Sequence, residues 1–244
     1  MRTTINSGHY ELNQWQTPEY ADSWLTDEIR QRSYRPAREK LVSLLPFPPE
    51  AIIRVLDIGA GNGALSLEVL AAYPKAQLVC HDFSETMLDR ARQRLAQFSK
   101  QIVFVKGDLR DPAWTQAIEG TFDAVVSSMA IHNLAEPNQG VPERIAEVYG
   151  EVFGLLKPGG CFLNYEHVSA PGPVVQRIYR QQREQQFPEW KSGRSEGLPE
   201  QVRSGFPSAR TLFTQMEGLK QAGFDEIDCL WKDRRDAIIG GFKH

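Results

Sequence analysis

Nothing in the 244 residues approaches the roughly 18 consecutive apolar positions that a bilayer-spanning helix needs, so no membrane partner is expected. Met1 to Asn13 mix polar and charged residues around no apolar core. No signal peptide or transit sequence is visible there, and the expectation is a soluble, cytoplasmic chain. Cysteine is scarce: Cys80, Cys161 and Cys229 are odd in number, far apart, and each sits in a β-rich apolar run. That pattern suits reduced buried thiols better than a disulfide frame or a zinc site; none has an activating motif around it, and no metal is expected. A dominant charge is lacking too. With 28 basic against 31 acidic residues there is no global field to hold a nucleic acid, although a local patch remains open.

What is present is an alternation. From about Ile52, short runs rich in β-branched and aromatic residues alternate with segments of helical period. The runs are Ile53 to Ile58, Gln77 to His81, Ile102 to Lys106, Phe122 to Ser127 and Cys161 to His167. This is the signature of an α/β chain, a parallel sheet with crossover helices. Met87, Leu88, Ala91, Leu95 and Phe98 make one apolar stripe, and Val141, Ile145, Val148, Val152, Leu155 and Leu156 another. The second helix should stop at Lys157-Pro158-Gly159-Gly160, because proline cannot continue it and glycine accepts the positive φ of a cap.

Ahead of the first strand, Pro18 to Gln31, entered through the N-cap candidate Thr17, and Pro36 to Leu45 read as two helices. Residues 1–50 are therefore expected to form a helical lid or cap on a main domain of residues 51–244. Within that domain, Pro171 to Phe187 reads as a helix and Pro188 to Pro207 as a mobile loop, an insertion at about 170–208. A helix from about Ala209 to Ala222, closed by Gly223, then leads to strands Phe224 to Trp231 and Asp236 to Phe242, the simplest arrangement being a hairpin at the sheet edge.

The densest motif is the first strand's end. Asp57-Ile58 is followed by Gly59, Ala60, Gly61, Asn62 and Gly63, placing glycines where the chain turns into a helix, so that backbone amides can approach a nucleotide-like ligand. Alone this is weak, since Gly59-x-Gly61-x-x-Ala64 also fits the dinucleotide fingerprint of nicotinamide and flavin enzymes. Three further features follow in order. His81-Asp82-Phe83 ends the second strand with a carboxylate able to accept two ribose hydroxyls. Gly107-Asp108-Leu109 follows the third strand, and Leu155-Leu156-Lys157-Pro158-Gly159-Gly160 precedes the fifth.

In that order and spacing, over about Arg54 to Val168, the chain resembles the class I S-adenosylmethionine-dependent methyltransferases of small-molecule type. The resemblance implies a Rossmann-like, seven-stranded, mostly parallel sheet with helices on both faces, an antiparallel C-terminal hairpin, and S-adenosyl-L-methionine across the carboxyl ends of the strands. It implies Asp57, Gly59, Ala60, Gly61 and Gly63 at the methionine part and Asp82 at the ribose. Phe83 and Met87 would flank the adenine, Gly107, Asp108 and Leu109 would read its edge, and Ser127 and Ser128 would lie below the methyl group. Each has a structural alternative: a cap or turn former for Asp82 and Asp108, a core residue for Met87, strand-end polarity for Ser127.

If a base takes the acceptor's proton, the candidate is His132, in the loop after the fourth strand, with a structural histidine holding that loop as the alternative. Tyr165, Glu166 and His167 at the end of the fifth are the second catalytic group, placed to touch the substrate or to serve structural hydrogen bonds. Strand alternation points Tyr165 and His167 to one face and Glu166 to the other. Trp15, Tyr20, Trp24 and Tyr34, with Arg30, Arg32, Arg35 and Arg38, would let the N-terminal segment close over an acidic or aromatic acceptor, or simply pack. Arg177, Arg180, Arg183, Lys191, Arg194 and Arg203 are offset by nearby glutamates, so a tRNA partner has little support.

The expected activity is methyl transfer to an O, N or C atom of a small molecule. Three alternatives stand beside it: an RNA-modification enzyme, through a looser resemblance of the Ala222-Gly223-Phe224 hairpin region to the carboxy-S-adenosylmethionine synthases; a cofactor-binding protein without catalysis; and a nicotinamide oxidoreductase, which leaves Asp57 and Asp108 unexplained. A homodimer stays open.

Overall fold

The computed structural model describes residues 15–26, 28–135, 143–186 and 210–244. The expectations for Met1 to Asn13, Val141, Pro188 to Pro207 and its Lys191, Arg194 and Arg203 lie outside the described residues, as do the side chains of Trp24, Arg30, Arg32 and Arg183.

Seven strands form one sheet: β1 Arg54–Ile58, β2 Gln77–Asp82, β3 Ile102–Lys106, β4 Phe122–Ser128, β5 Leu156–His167, β6 Asp225–Asp233 and β7 Asp236–Phe242, in the order β3-β2-β1-β4-β5-β7-β6. The first five pair in parallel, and β7 runs antiparallel to both β5 and β6. The chain reverses direction across the sheet between β1 and β4, which opens a crevice at their carboxyl ends.

Both faces are covered, as the strands' apolar character demands. On one, Ala37, Leu41 and Val42 of α2 (Glu28–Ser43) and Leu65, Val69 and Leu70 of α3 (Ala64–Ala72) pack over Val55, Leu78 and Val126. On the other, Ile145, Val148, Tyr149 and Val152 of α5 (Glu143–Leu155) and Leu219 of α7 (Leu212–Ala222) cover Leu56, Val125 and Phe162. Gly223 closes α7 in the left-handed conformation, its N–H bonded to Leu219 and Lys220 carbonyls. The stripe from Met87 is carried by α4 (Glu85–Arg94), capped by the Ser84 hydroxyl, and by a single 3-10 turn, Ala96–Phe98. The exposed amphipathic helix α6 is Pro173–Gln186.

Three expected boundaries move. The first helix, α1 (Pro18–Leu25), stops short of Gln31, and α2 begins at Glu28 and runs unbroken through Pro36, so proline sits inside a helix it was expected to start. Its missing N–H costs one helical bond, which the packing of Ala37 and Leu41 outweighs. The fifth strand begins at Leu156, not Cys161. Leu156 pairs with Phe122 and Cys161 with Ala124, so Lys157 to Gly160 bulge out opposite Asp123. Lys157 Nζ grips both Asp123 oxygens at 2.9 and 2.8 Å, and Gly159 takes φ +79°.

The N-terminal segment is tied to α4. Arg90 pairs with Asp22 at 2.8 Å, the Thr86 hydroxyl donates to the Gln16 carbonyl at 2.8 Å, and the Ser84 hydroxyl donates to the Trp15 carbonyl. Trp15 is thereby held at the mouth of the crevice.

Candidate functional site

The crevice is a cavity with about 1010 Å³ of empty space, its open mouth included, at the carboxyl ends of β1 to β4. Asp57, Gly59, Ala60, Gly61, Asp82, Phe83, Met87, Gly107, Asp108, Leu109 and Ser128 all line it. Trp15, Tyr34 and Arg38 from the N-terminal segment close one side.

The glycines do more than bare a backbone. Gly59, at φ +65°, would place a Cβ 2.2 Å from that of Ala130, so its absence lets the loop after β4 sit against the loop after β1. Gly63 does not line the cavity: its missing Cβ would meet Leu95 Cδ1 at 2.7 Å, and it serves helix packing. Asp82 fixes this loop, accepting the Gly61 N–H on Oδ2 and the Ser84 N–H on Oδ1, each at 2.8 Å. Burial raises its carboxyl to about 6 against the pull of those N–H donors. Ser127 also leaves the expected set. It is fully buried, and its hydroxyl donates to the Ile58 carbonyl at 2.9 Å, because strand alternation turns only Ser128 toward the cavity.

Asp57 and Arg38 form the charged floor. Asp57 Oδ2 accepts the Ser66 hydroxyl at 2.6 Å, while Oδ1 has no hydrogen-bond partner among the described residues. Burial raises this carboxyl to about 7, opposed chiefly by the Ser66 bond. Arg38 is 7 % exposed, its Nε lacks a partner among the described residues, and burial lowers its pKa. One unpartnered carboxyl oxygen and one buried guanidinium thus line the same space. Arg38 was predicted only as part of a basic cluster. The better signal is its place on α2's apolar stripe, Tyr34, Ala37, Arg38, Leu41, Val42, where a charge has no business unless it has a ligand.

At the opposite end Asp108 is engaged. Arg110 Nε bonds both its oxygens at 3.0 and 2.9 Å, Nη2 lies 2.5 Å from Oδ2, and the Arg110 N–H donates at 2.9 Å. Burial pushes the carboxyl up, but these bonds outweigh it and hold it below its ordinary value. The loop is anchored to α5 by Arg144 Nε on the Leu109 carbonyl at 2.7 Å and by Trp114 Nε1 on Glu151 at 2.5 Å.

The three catalytic candidates His132, Tyr165 and His167 gather beside the cavity without forming part of its lining. His132, in a 3-10 turn at Ile131–Ala135, sets Nδ1 2.5 Å from Glu166 Oε2, and its backbone N–H donates to Oε1 at 3.1 Å. His167 Nδ1 lies 2.5 Å from Asp236 Oδ1. The Tyr34 hydroxyl lies 3.4 Å from His167 Nε2, and the two imidazole centroids are 6.1 Å apart. Tyr165 shares that side, its ring 6.3 Å from Tyr34, but it is fully buried and its phenol is pushed far above its usual range by burial. A phenol so placed is not a base. Cys80 and Cys161 are buried with thiols pushed up to about 12, so neither is a nucleophile at neutral pH.

Known proteins resemble this chain in sequence and in fold. The family described as a methyltransferase domain matches residues 55–160. The demethylmenaquinone methyltransferase of Clavibacter sepedonicus is 36% identical over 131 residues, 54% of this chain and 48% of that protein. The ubiquinone/menaquinone biosynthesis C-methyltransferase of Cereibacter sphaeroides is 30% identical over 138 residues, 56% of this chain and 50% of its own. This chain therefore spans about half the length of the curated relatives it matches. Among solved structures, "PigF with SAH" superposes with a TM-score of 0.64 at 18% identity, covering 94% of this chain and 61% of that one. Human N-acetylserotonin methyltransferase in complex with SAM gives 0.54 at 20% identity, covering 94% and 55%. At these identities the structural likeness speaks for the fold. No helix among the described residues is long and apolar enough to cross a membrane.

Proposed function

We propose, on the premise that residues 55–160 are a class I S-adenosylmethionine-dependent methyltransferase domain, that the chain transfers a methyl group to a small molecule. The observation that carries this is the pairing of Asp57 Oδ1, unpartnered among the described residues, with the buried Arg38 guanidinium on one cavity. An α-amino acid zwitterion is complementary to the two: its ammonium suits Asp57 and its carboxylate suits Arg38. S-adenosyl-L-methionine has such an end, and when bound it supplies a methyl group already activated on a sulfonium. In this reading Gly59 to Gly61 approach its methionine part, Asp82 the ribose, and Phe83 and Met87 the adenine faces.

The chain's remaining task is to orient the acceptor and take its proton. Glu166 stands on Nδ1 of His132, and in this reading that contact keeps a proton on Nδ1 so that Nε2 serves as the general base. Glu166 also fixes the ring through the His132 backbone N–H, so its role is positioning. Trp15, Tyr34 and Met129 give the cavity apolar and aromatic walls. The acceptor class that suits them is an aromatic ring with an ionisable hydroxyl. Deprotonation activates either the oxygen or the adjacent ring carbon, and the quinone methyltransferases among the relatives favour the carbon.

The test is calorimetry with S-adenosylhomocysteine, followed by S-adenosylmethionine turnover on a panel of hydroquinones and phenols. Micromolar binding and product formation on at least one ring are expected. No binding of either cofactor form sinks the reading; binding with turnover of no aromatic acceptor sinks only the acceptor class.

A further inference from the structure

His81 is a polar side chain that nothing so far employs. It precedes Asp82 at the end of β2, is 1 % exposed, and neither Nδ1 nor Nε2 has a hydrogen-bond partner among the described residues. The ring rests on Trp114, with centroids 4.9 Å apart, and lines the cavity beside Gly107, Asp108 and Leu109. Its nitrogens come so close to the end of β3 that a Cβ on Gly107 would stand 2.6 Å from Nε2. The neighbours have no hydrogen bond to offer it: the Trp114 N–H is used by Glu151, and the Asp108 carboxylate by Arg110. The preceding strand residues, Leu78, Val79 and Cys80, are apolar, and an apolar residue here would avoid stripping an imidazole of water for nothing.

We propose that His81 is a further cofactor-binding residue, hydrogen-bonding the polar edge of the purine base at this end of the cavity. The proposal rests on the S-adenosylmethionine reading above. Burial lowers the ring's pKa to about 4, so at neutral pH it carries one N–H and one bare nitrogen. The bare nitrogen suits an exocyclic amine and the N–H a ring nitrogen, and either contact gives the imidazole the partner it lacks. Gly107 is then required for more than its turn, because it admits the ring to the base.

Calorimetry on the wild type, His81→Leu and His81→Asn would test this, with S-adenosylhomocysteine and with S-ribosylhomocysteine, which lacks the base. His81→Leu should bind S-adenosylhomocysteine about tenfold more weakly, the worth of one buried hydrogen bond, and S-ribosylhomocysteine as the wild type does. His81→Asn should fall between. Unchanged affinity, or equal loss for both ligands, overturns the proposal. Nitrogen-15 spectra of the wild-type histidines give a reading without substitution: S-adenosylhomocysteine should move the His81 ring signals and S-ribosylhomocysteine should not. Signals unmoved by either ligand, while calorimetry shows binding, overturn it as well. A wild type that binds neither ligand removes the cofactor reading itself, and this proposal with it.

Discussion

The cavity and the side-chain cluster beside it are built on different plans. Most of the cavity lining comes from short stretches within 57–62, 81–83 and 107–110, each at the carboxyl end of a parallel strand. The cluster is assembled from side chains distant in sequence: His132 meets Glu166 across 34 residues and Tyr34 meets His167 across 133. The electrostatics differ as well. Asp57 is buried with an oxygen waiting for a partner, whereas Glu166 and Asp236 already hold imidazoles. In the proposed reading the cavity waits to be completed by a ligand's charge, and the cluster, already complete, acts on a ligand's proton.

If that division holds, substitutions in the cavity and in the cluster should separate binding from chemistry. The largest effect is expected at His132. His132→Ala should lower kcat by about 10²–10⁴-fold while leaving the affinity for S-adenosylhomocysteine within about twofold. Glu166→Gln, which keeps the shape but loses the charge that orients the ring, should lower kcat by a smaller factor. Steady-state kinetics beside calorimetry checks both. A His132→Ala enzyme with full kcat would reduce His132 to a loop-holding residue and remove the chemical half of the comparison.

Asp57→Asn should do the reverse, weakening S-adenosylhomocysteine about 100-fold by removing the charge offered to its ammonium. The ligand-free protein should gain stability. The Asp57 carboxyl stands at about 7 in the fold against 3.8 ordinarily, so between those values the folded state holds a proton the unfolded state has released. Asp57 therefore contributes stability that is lost as pH climbs from about 4 to about 7, by an amount on the order of a few kcal/mol, while His81, lowered to about 4 from 6.5, acts in the opposite sense over much of that window. Asp82, raised to about 6, adds to the slope over a narrower window. Thermal melts from pH 4 to 8 should show the Tm of Asp57→Asn rising relative to that of the wild type as pH climbs, and standing above it at pH 8. Conversely, wild-type affinity for S-adenosylhomocysteine should rise with pH up to about 7, because the ammonium favours the ionised carboxylate. An affinity that falls over that range would contradict the assignment of Asp57.

The same division explains what could be read in advance. The α/β alternation, the strand ends and the C-terminal hairpin follow from local periodicity and glycine placement, and the sheet's order adds only which neighbours pair. Asp82 was legible as a carboxylate ending the second strand, whereas Asp57 and Asp108 stood out only through the family resemblance of the stretches that hold them. Gly63 and Ser127 were misplaced because a motif specifies positions along the chain, not which way each position faces. The His132 to Glu166 and His167 to Asp236 pairs were hidden because long-range contacts leave no spacing to recognise. Alternation did place Glu166 opposite Tyr165 and His167, and that is the face on which it meets His132. Arg38 and His81 carried a signal that went unused: a polar residue inside an otherwise apolar stripe or strand.

Ser127 offers the smallest effect and a check on the boundary between site and scaffold. Its hydroxyl touches the Ile58 carbonyl and is fully buried, so Ser127→Ala deletes one internal hydrogen bond and leaves that carbonyl short of a partner. The expected cost is about 1 kcal/mol, a fall in Tm of roughly 2–4 °C for a chain of this size. Affinity for S-adenosylhomocysteine should not change, since Ser128, not Ser127, faces the cavity. A Ser127→Ala protein that melts like the wild type but binds tenfold more weakly would mean that the hydroxyl turns toward the ligand when the cavity fills. The line between the cofactor-binding loop and the sheet beneath it would then shift by one residue along β4.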